Sequence, residues 1–222
     1  MEITHTNEDL KIYFYDSLLS SEQFESEKEG TAYITYKPTE IKISAGVTSD
    51  SYSYLYYNGT FFNPKFSEFV AKLKLNSFSD CFIFFGFKES LDVPTTTMDE
   101  SHAGIMIETS AGVPKLYFTT GRVYDGAYDQ QKVEINTIDP TMMSEFKINY
   151  NKLYYRLLPY IISYLGVPTI QEQDREWSLL QTNNNYPPED ETHYLVFYIK
   201  TLTTTEKYIL LNKVIYKEEY AD

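Results

Sequence analysis

The chain has 222 residues, which suits one β-sandwich or two small domains. A single domain of this size buries roughly 70% of its unfolded surface and needs no disulfide or metal for stability. Its 32 acidic residues outnumber the 19 lysines and arginines, and the formal net charge is −13. Because an acidic chain with lysines spread along its sequence repels phosphate backbones, we expect no nucleic-acid partner.

Two further segments bear on location. Met1–Leu10 is polar and acidic, without the basic and apolar regions of a secretory signal, which favours a cytoplasmic or virion-associated protein. The longest apolar stretch, Leu153–Val167, contains Arg156 and Pro159 and is shorter than the roughly 20 residues that cross a bilayer. We therefore predict no membrane span.

The single cysteine, Cys81, lies in an apolar run and is predicted to be a buried thiol.

Apolar and polar residues alternate with period 2 along most of the chain, and no segment keeps helical spacing over three turns. This pattern predicts strands at Ile12–Tyr15, Ala32–Tyr36, Ile41–Val47, Tyr52–Tyr57, Phe69–Leu75, Phe82–Phe87, Gly104–Glu108, Lys115–Thr119, Lys132–Ile135, Phe146–Tyr150, Leu153–Leu158, Tyr194–Lys200 and Tyr208–Tyr216. Two runs, Cys81–Phe87 and Tyr194–Ile199, are apolar on both faces, which predicts central strands covered on two sides.

About a dozen short strands separated by hairpin signals predict an all-β, antiparallel two-sheet β-sandwich that forms one domain over residues 1–222. Asp139–Glu145 has an N-cap acid followed by a proline, which predicts one short helix. The long connections Glu89–Ser101 and Val167–Thr192 are the places where we expect functional loops.

The order of these strands resembles the concanavalin-A-like lectin and glucanase jelly roll over most of the chain. The segments that carry the resemblance are Phe14–Leu19 with Thr31–Ile43, Phe69–Leu75 with Phe82–Phe87, Glu145–Tyr155, and the closing strand Leu211–Tyr216. The resemblance implies a jelly-roll sandwich. It leaves the function open, because the family includes lectins, glucanases and viral structural proteins.

The leading hypothesis is a non-catalytic binding or surface protein that recognises a carbohydrate or a protein surface. One alternative is a virion or coat protein that assembles as a homo-oligomer, and another is a divergent glycoside hydrolase. Glucanases of the family place acids at alternate positions on one strand. The acids with this spacing here are Glu25, Glu27 and Glu29, which we interpret as a solvated loop near the N-terminus.

Sugar recognition needs aromatic platforms with polar groups beside them. Trp177 is the best candidate, in a long connection that also contains Arg175, Asn184 and Tyr186, and Tyr57 belongs to the tyrosine-rich run Tyr52–Tyr57. The competing interpretations are a tryptophan that packs the connection in place and tyrosines that pack in the core.

Two acidic loops contain a histidine, Asp99 with His102 and Asp190 with His193. Carboxylates suit calcium and imidazoles suit zinc or manganese, so these residues are candidate metal ligands. The alternative is that both loops are exposed connections between strands. We predict no other cofactor, and we identify no catalytic residue.

Overall fold

The computed structural model describes residues 10–15, 24–57, 67–110, 112–136, 139–150, 152–157, 161–164, 167–170, 177–184 and 192–219. These residues form seventeen strands, which we number in chain order. The strands are β1 (Leu10–Tyr15), β2 (Phe24–Glu29), β3 (Tyr33–Lys37), β4 (Glu40–Ser44), β5 (Tyr52–Tyr57), β6 (Ser67–Leu75), β7 (Cys81–Lys88), β8 (His102–Ser110), β9 (Val113–Tyr124), β10 (Ala127–Glu134), β11 (Ser144–Asn149), β12 (Lys152–Leu157), β13 (Ile161–Tyr164), β14 (Val167–Ile170), β15 (Ser178–Thr182), β16 (Tyr194–Thr201) and β17 (Tyr208–Glu219).

Two antiparallel sheets form the sandwich. The seven-stranded sheet has the order β10-β9-β8-β7-β16-β5-β2. The eight-stranded sheet has the order β15-β12-β11-β6-β17-β4-β3, with β1 paired to the second half of β17. Strands β13 and β14 form a separate hairpin. This is the predicted all-β two-sheet sandwich, so the fold class is confirmed.

The core lies between the two inner faces, and phenylalanines dominate its centre. Phe146 of the eight-stranded sheet meets the ring of Phe85 of the seven-stranded sheet at 5.5 Å between centroids. Phe69 contacts Phe87 and Phe197 across the same gap, at 5.7 and 5.9 Å. Edge-to-face contacts of this kind add to the stabilisation that comes from burying apolar area.

The double-sided burial predicted for the central strands is confirmed. Every residue of β7 is buried, and in β16 the residues from Leu195 to Ile199 are buried. Cys81 is fully buried, as predicted, and burial raises the pKa of its thiol to about 12. The thiolate is therefore scarce at neutral pH, which makes this cysteine chemically inert.

Three predictions about local structure are wrong. Asp139–Glu145 is a turn rather than a helix, because the Asp139 carboxylate accepts hydrogen bonds from both the Thr141 amide and hydroxyl, and β11 begins at Ser144. The segment that contains Glu25, Glu27 and Glu29 is the edge strand β2 rather than a loop. Val167–Thr192, predicted as a long connection, contains the strands β14 and β15.

The part of the chain that the structure describes contains no helix long and apolar enough to cross a membrane.

Truncating Phe146 tests how much the two sheets depend on their aromatic contact. Phe146→Ala should lower the free energy of unfolding by about 3–5 kcal/mol, because it removes a fully buried ring and leaves a cavity. Met142→Ala is the control, since Met142 is 53% exposed and should change stability by less than about 0.5 kcal/mol. Urea unfolding followed by fluorescence measures both values, and similar losses for the two variants would contradict the assignment of Phe146 to the core.

Candidate functional site

The outer face of the seven-stranded sheet carries a row of aromatic side chains. Strand register places in one line across the sheet the residues Glu27, Tyr54, Tyr198, Phe84, Met106, Tyr117 and Glu134. Alternate residues of a strand share a face, so each of these points away from the sandwich core. The face is apolar in its centre and acidic at both ends of the row.

A second apolar cluster covers the centre of this face. Its buried members are Tyr54, Phe82, Phe84, Met98, Met106, Val196 and Tyr198. Met98 belongs to the connection Glu89–Ser101, which therefore lies over the sheet. Four tyrosines pack against the cluster and stay half-exposed at its rim, namely Tyr52, Tyr56, Tyr117 and Tyr194.

A buried lysine holds this connection in place. The Lys88 side chain is 0% exposed, and its Nζ lies 2.5 Å from Glu100 Oε1. The same Nζ donates hydrogen bonds to the carbonyl oxygens of Ser90 and Asp92, at 3.0 and 2.8 Å. Burial lowers the pKa of Lys88, while Glu100 acts in the opposite direction. A buried ammonium needs these partners, so the connection cannot leave the sheet without leaving a charge unpaired.

His102 occupies the same face beneath this connection and is held neutral. Its ring is fully buried, and burial lowers its pKa to about 4. Nδ1 donates to the carbonyl oxygen of Glu100 at 2.8 Å, because a carbonyl can only accept. Nε2 accepts from the Thr119 hydroxyl at 2.8 Å, and that hydroxyl accepts in turn from Gln130. Both ring nitrogens thus have partners inside the protein.

The carboxylates at the two ends of the face differ in their partners. At the β9–β10 side, Glu108 pairs with Lys132 at 2.8 Å and Glu134 pairs with Lys115 at 2.9 Å. At the β2 side, Glu25, Glu27 and Glu29 are exposed and oppose Tyr56, Tyr54 and Tyr52 in the register. The Tyr56 hydroxyl donates to Glu25 Oε2 at 3.1 Å. The β2–β5 side therefore presents carboxylate acceptors beside half-exposed aromatic rings.

Solved structures of two kinds are similar to this one. The carbohydrate recognition domain of Emp47p aligns with a TM-score of 0.58 at 9% identity, over 98% of this chain and 100% of that domain. The κ-carrageenase from Pseudoalteromonas carrageenovora, in complex with a κ-carrageenan oligotetrasaccharide, aligns at 0.55 and 9%, over 99% and 100%. The Bacillus licheniformis β-glucanase aligns at 0.50 and 10%, over 92% and 97%. No protein-family model matches the sequence, and no curated protein matches it.

The protein has the concanavalin-A-like jelly-roll fold. The likeness covers nearly the whole chain, and at about 9% identity it concerns the fold alone. Proteins of this fold include both carbohydrate recognition domains and enzymes that cleave glycans, so the jelly roll fits glycan binding without choosing between binding and catalysis.

Among the described residues, the jelly roll places Tyr57 on one sheet and Trp177 and Asn184 on the other. Tyr57 lies at the inner face of the seven-stranded sheet, where it packs edge-on against Phe24 at 6.1 Å. Trp177 and Asn184 flank β15 at the edge of the other sheet, where Lys147 Nζ lies 4.9 Å from the Trp177 ring centre. Arg175 and Tyr186 lie outside the described residues. The sequence offers the run Tyr52–Tyr57 as an aromatic stripe but favours core packing for it, because the pattern alone does not tell which face of β5 is the outer one.

Two of the predicted metal ligands, His102 and His193, lie close enough for the charge of one to act on the other. Asp99 is exposed, whereas His102 and His193 are buried, and Asp190 lies outside the described residues. Within the ranges that the structure describes, no group of three or more His, Cys, Asp or Glu residues could hold a metal ion. Metal binding by the two loops, including calcium, stays a prediction.

Replacing the buried lysine tests whether it holds the connection over the sheet. Lys88→Met should lower the free energy of unfolding by about 3 kcal/mol, because Glu100 loses the partner of a largely buried ion pair. The matched control is Lys115→Met, whose pair with Glu134 is about one-third exposed on both sides and should be worth less than about 1 kcal/mol. Limited proteolysis should cut Glu89–Ser101 faster in Lys88→Met alone, and equal cutting in both variants would argue against this role.

The buried neutral histidine predicts a pH dependence of stability. The pKa of His102 is about 4 in the folded chain against an ordinary 6.5. Between these values the unfolded chain binds a proton that the folded chain does not. The free energy of unfolding should therefore decrease by about 3 kcal/mol as the pH falls from about 6.5 to about 4.

The variant His102→Gln isolates this contribution, because it removes the titrating group while leaving every carboxylate in place. Urea unfolding at several pH values between 4 and 7 should show a shallower pH dependence in the variant than in the native chain. Parallel curves over this range would show that His102 is not buried in its neutral form.

Proposed function

We propose that this protein is a non-catalytic glycan-binding jelly roll whose ligand lies on the outer face of the seven-stranded sheet, at its β2–β5 side. The observation that supports this proposal is the pairing of half-exposed tyrosine rings with exposed carboxylates in adjacent rows. Tyr52 and Tyr56 project from one face of β5, and Glu25 and Glu29 project beside them from β2. Rings stack on the CH faces of a sugar, and carboxylates accept hydrogen bonds from its hydroxyls.

The rings are held firmly enough to act as platforms. Tyr54 is fully buried between them, with its ring 5.3 Å from Tyr56 and 6.0 Å from Tyr198. Tyr52 in turn lies 5.6 Å from Tyr198. Because these side chains are fixed in the free protein, little rotamer entropy is lost when a ligand binds.

Binding is favoured over hydrolysis by the environment of the acids. A glycosidase needs one carboxyl group that stays protonated near neutral pH, which requires a desolvated position. Glu25, Glu27 and Glu29 lie in water on an edge strand, and Glu108 at the other end of the face is held by Lys132. The outward residues of β8 before Glu108 are His102, Gly104 and Met106, so this central strand supplies no second carboxylate to that face.

A glycan array followed by calorimetry tests the proposal. The native chain should bind at least one class of neutral oligosaccharide. The double variant Tyr52→Ala/Tyr56→Ala should weaken that binding about tenfold, since stacking on each ring contributes roughly 0.5–1.5 kcal/mol. Tyr33→Ala is the matched control, because Tyr33 is 40% exposed on the outer face of the other sheet and its loss should leave binding unchanged.

Three results would overturn the proposal. If Trp177→Ala abolishes binding and the Tyr52/Tyr56 variant does not, the ligand lies on the eight-stranded sheet. If the native chain releases reducing ends from β-glucans and Glu25→Gln/Glu27→Gln abolishes that activity, the protein is a hydrolase. Absence of binding to every glycan, with a concentration-dependent homo-oligomer in light scattering, would favour an assembly protein instead.

A further inference from the structure

The outer face of the eight-stranded sheet collects lysines that are far apart in the sequence. Lys72 and Lys74 point outward from β6, because their neighbours Ala71, Leu73 and Leu75 are buried in the core. Lys213 lies directly opposite Lys72 on the neighbouring strand β17. Some 140 residues separate the two strands along the chain, so the fold rather than the sequence creates this cluster.

Three described acidic residues on this side of the sandwich pair with lysines. Glu40 pairs with Lys37 at 2.7 Å, Glu206 with Lys42 at 2.8 Å, and Glu68 with Lys147 at 3.4 Å. Glu145, opposite Lys72 on β11, is only 3% exposed.

The lysine cluster itself forms no such pair. Among the described residues, no carboxylate lies within ion-pair distance of Lys72, Lys74 or Lys213. In that part of the chain the three ammonium groups therefore form no ion pair, on a protein whose net charge is −13, and the carboxylate opposite Lys72 in the register is that of the buried Glu145.

The register makes this arrangement unfavourable in the free protein. Like charges directly opposite each other on adjacent strands destabilise a sheet. Lys72 and Lys213 are such a pair, and Lys74 adds a third charge one step along the same face. The buried side chain of Val70 and the half-buried side chains of Leu210 and Ile215 lie between and beside them, so the ammonium groups lie over apolar side chains. A bound anion would relieve the repulsion.

We propose that Lys72, Lys74 and Lys213 form a second binding site, for a linear polysaccharide that carries sulfate or carboxylate groups. The site lies on the opposite sheet from the glycan face proposed above and does not depend on it. Lys147 on the same face lies 4.6 Å from the Tyr154 ring centre and 4.9 Å from that of Trp177, so two aromatic rings lie on the far side of β11 from the lysines, where a chain that extends across the face would meet them. This combination of rings and ammonium groups fits an anionic sugar chain.

Two other anionic partners, a nucleic-acid duplex and a bilayer surface, fit this face less well. A duplex carries one charge every ~1.7 Å along its axis, so the strongly negative protein repels it more than a polysaccharide with sparse sulfates. A bilayer surface would need apolar side chains that insert beside the lysines, and Val70, Leu210 and Ile215 are half-buried or buried in the sheet instead.

Binding to dextran sulfate, with uncharged dextran as the reference polymer, tests the proposal by calorimetry at low and high salt. The native chain should bind dextran sulfate and not dextran, and its affinity should fall steeply with salt. Lys72→Gln/Lys74→Gln/Lys213→Gln should weaken binding at least tenfold and flatten the salt dependence. The matched control is Lys115→Gln/Lys132→Gln/Lys200→Gln, with the same change of charge at three lysines that pair with carboxylates on the other sheet. Equal loss in the two triple variants would overturn the site.

A charge reversal separates binding from folding. Lys213→Glu should raise the midpoint of thermal unfolding, because it replaces a like-charge pair with an opposite pair, and should weaken dextran sulfate binding at the same time. Unchanged binding in this variant would contradict the proposal. Stronger binding to DNA or to anionic vesicles than to dextran sulfate, lost in the same triple variant, would assign the surface to that other partner and overturn the polysaccharide. A negative result in these experiments would not affect the proposed neutral-glycan site on the other sheet, since the two sites share no residue.

Discussion

The burial of β7 and β16 on both faces is the constraint on which the arrangement of this jelly roll depends. Their inner residues belong to the core between the sheets, while Phe84 and Tyr198 belong to a second cluster on the outside. A sheet with an apolar outer face needs a cover, and the connection Glu89–Ser101 provides it through Met98. The buried pair of Lys88 and Glu100 then fixes that connection.

The cover leaves the periphery of the outer face open, and this determines where a ligand could lie. The half-exposed tyrosines stand where the apolar cluster ends, next to the acidic edge strand β2. The acidic side chains of β2 also disfavour aggregation through this edge of the sheet, because charged residues on an edge strand oppose pairing with a strand of another molecule. In the part of the chain that the structure describes, charge is therefore distributed unevenly, with exposed carboxylates at one edge of the seven-stranded sheet and lysines without an ion-pair partner on the outer face of the other sheet.

The parts of the fold that depend on local pattern could be predicted from the sequence. Alternation located most strands, and the runs Cys81–Phe87 and Tyr194–Ile199 indicated the central position of β7 and β16. Asp139 and Pro140 formed a turn instead of a helix because an N-cap acid and a proline also suit a turn, and no apolar stripe followed to stabilise a helix.

The candidate sites depend on long-range register, which local pattern does not contain. Glu25 and Tyr56 lie 31 residues apart and meet through strand pairing. The lysines looked scattered in the sequence, and the cluster of Lys72 and Lys213 exists only because β6 pairs with β17. His102 looked like a ligand in a polar loop, but it begins β8 and points beneath the connection that precedes it.

Hydrogen–deuterium exchange with and without a saturating neutral oligosaccharide shows which sheet the ligand contacts. Exchange should become slower in Phe24–Glu29 and Tyr52–Tyr57, with no change in Ser67–Leu75 on the opposite sheet. Slower exchange confined to Ser178–Thr182 and its neighbours, with β2 and β5 unaffected, would contradict a ligand site on the seven-stranded sheet.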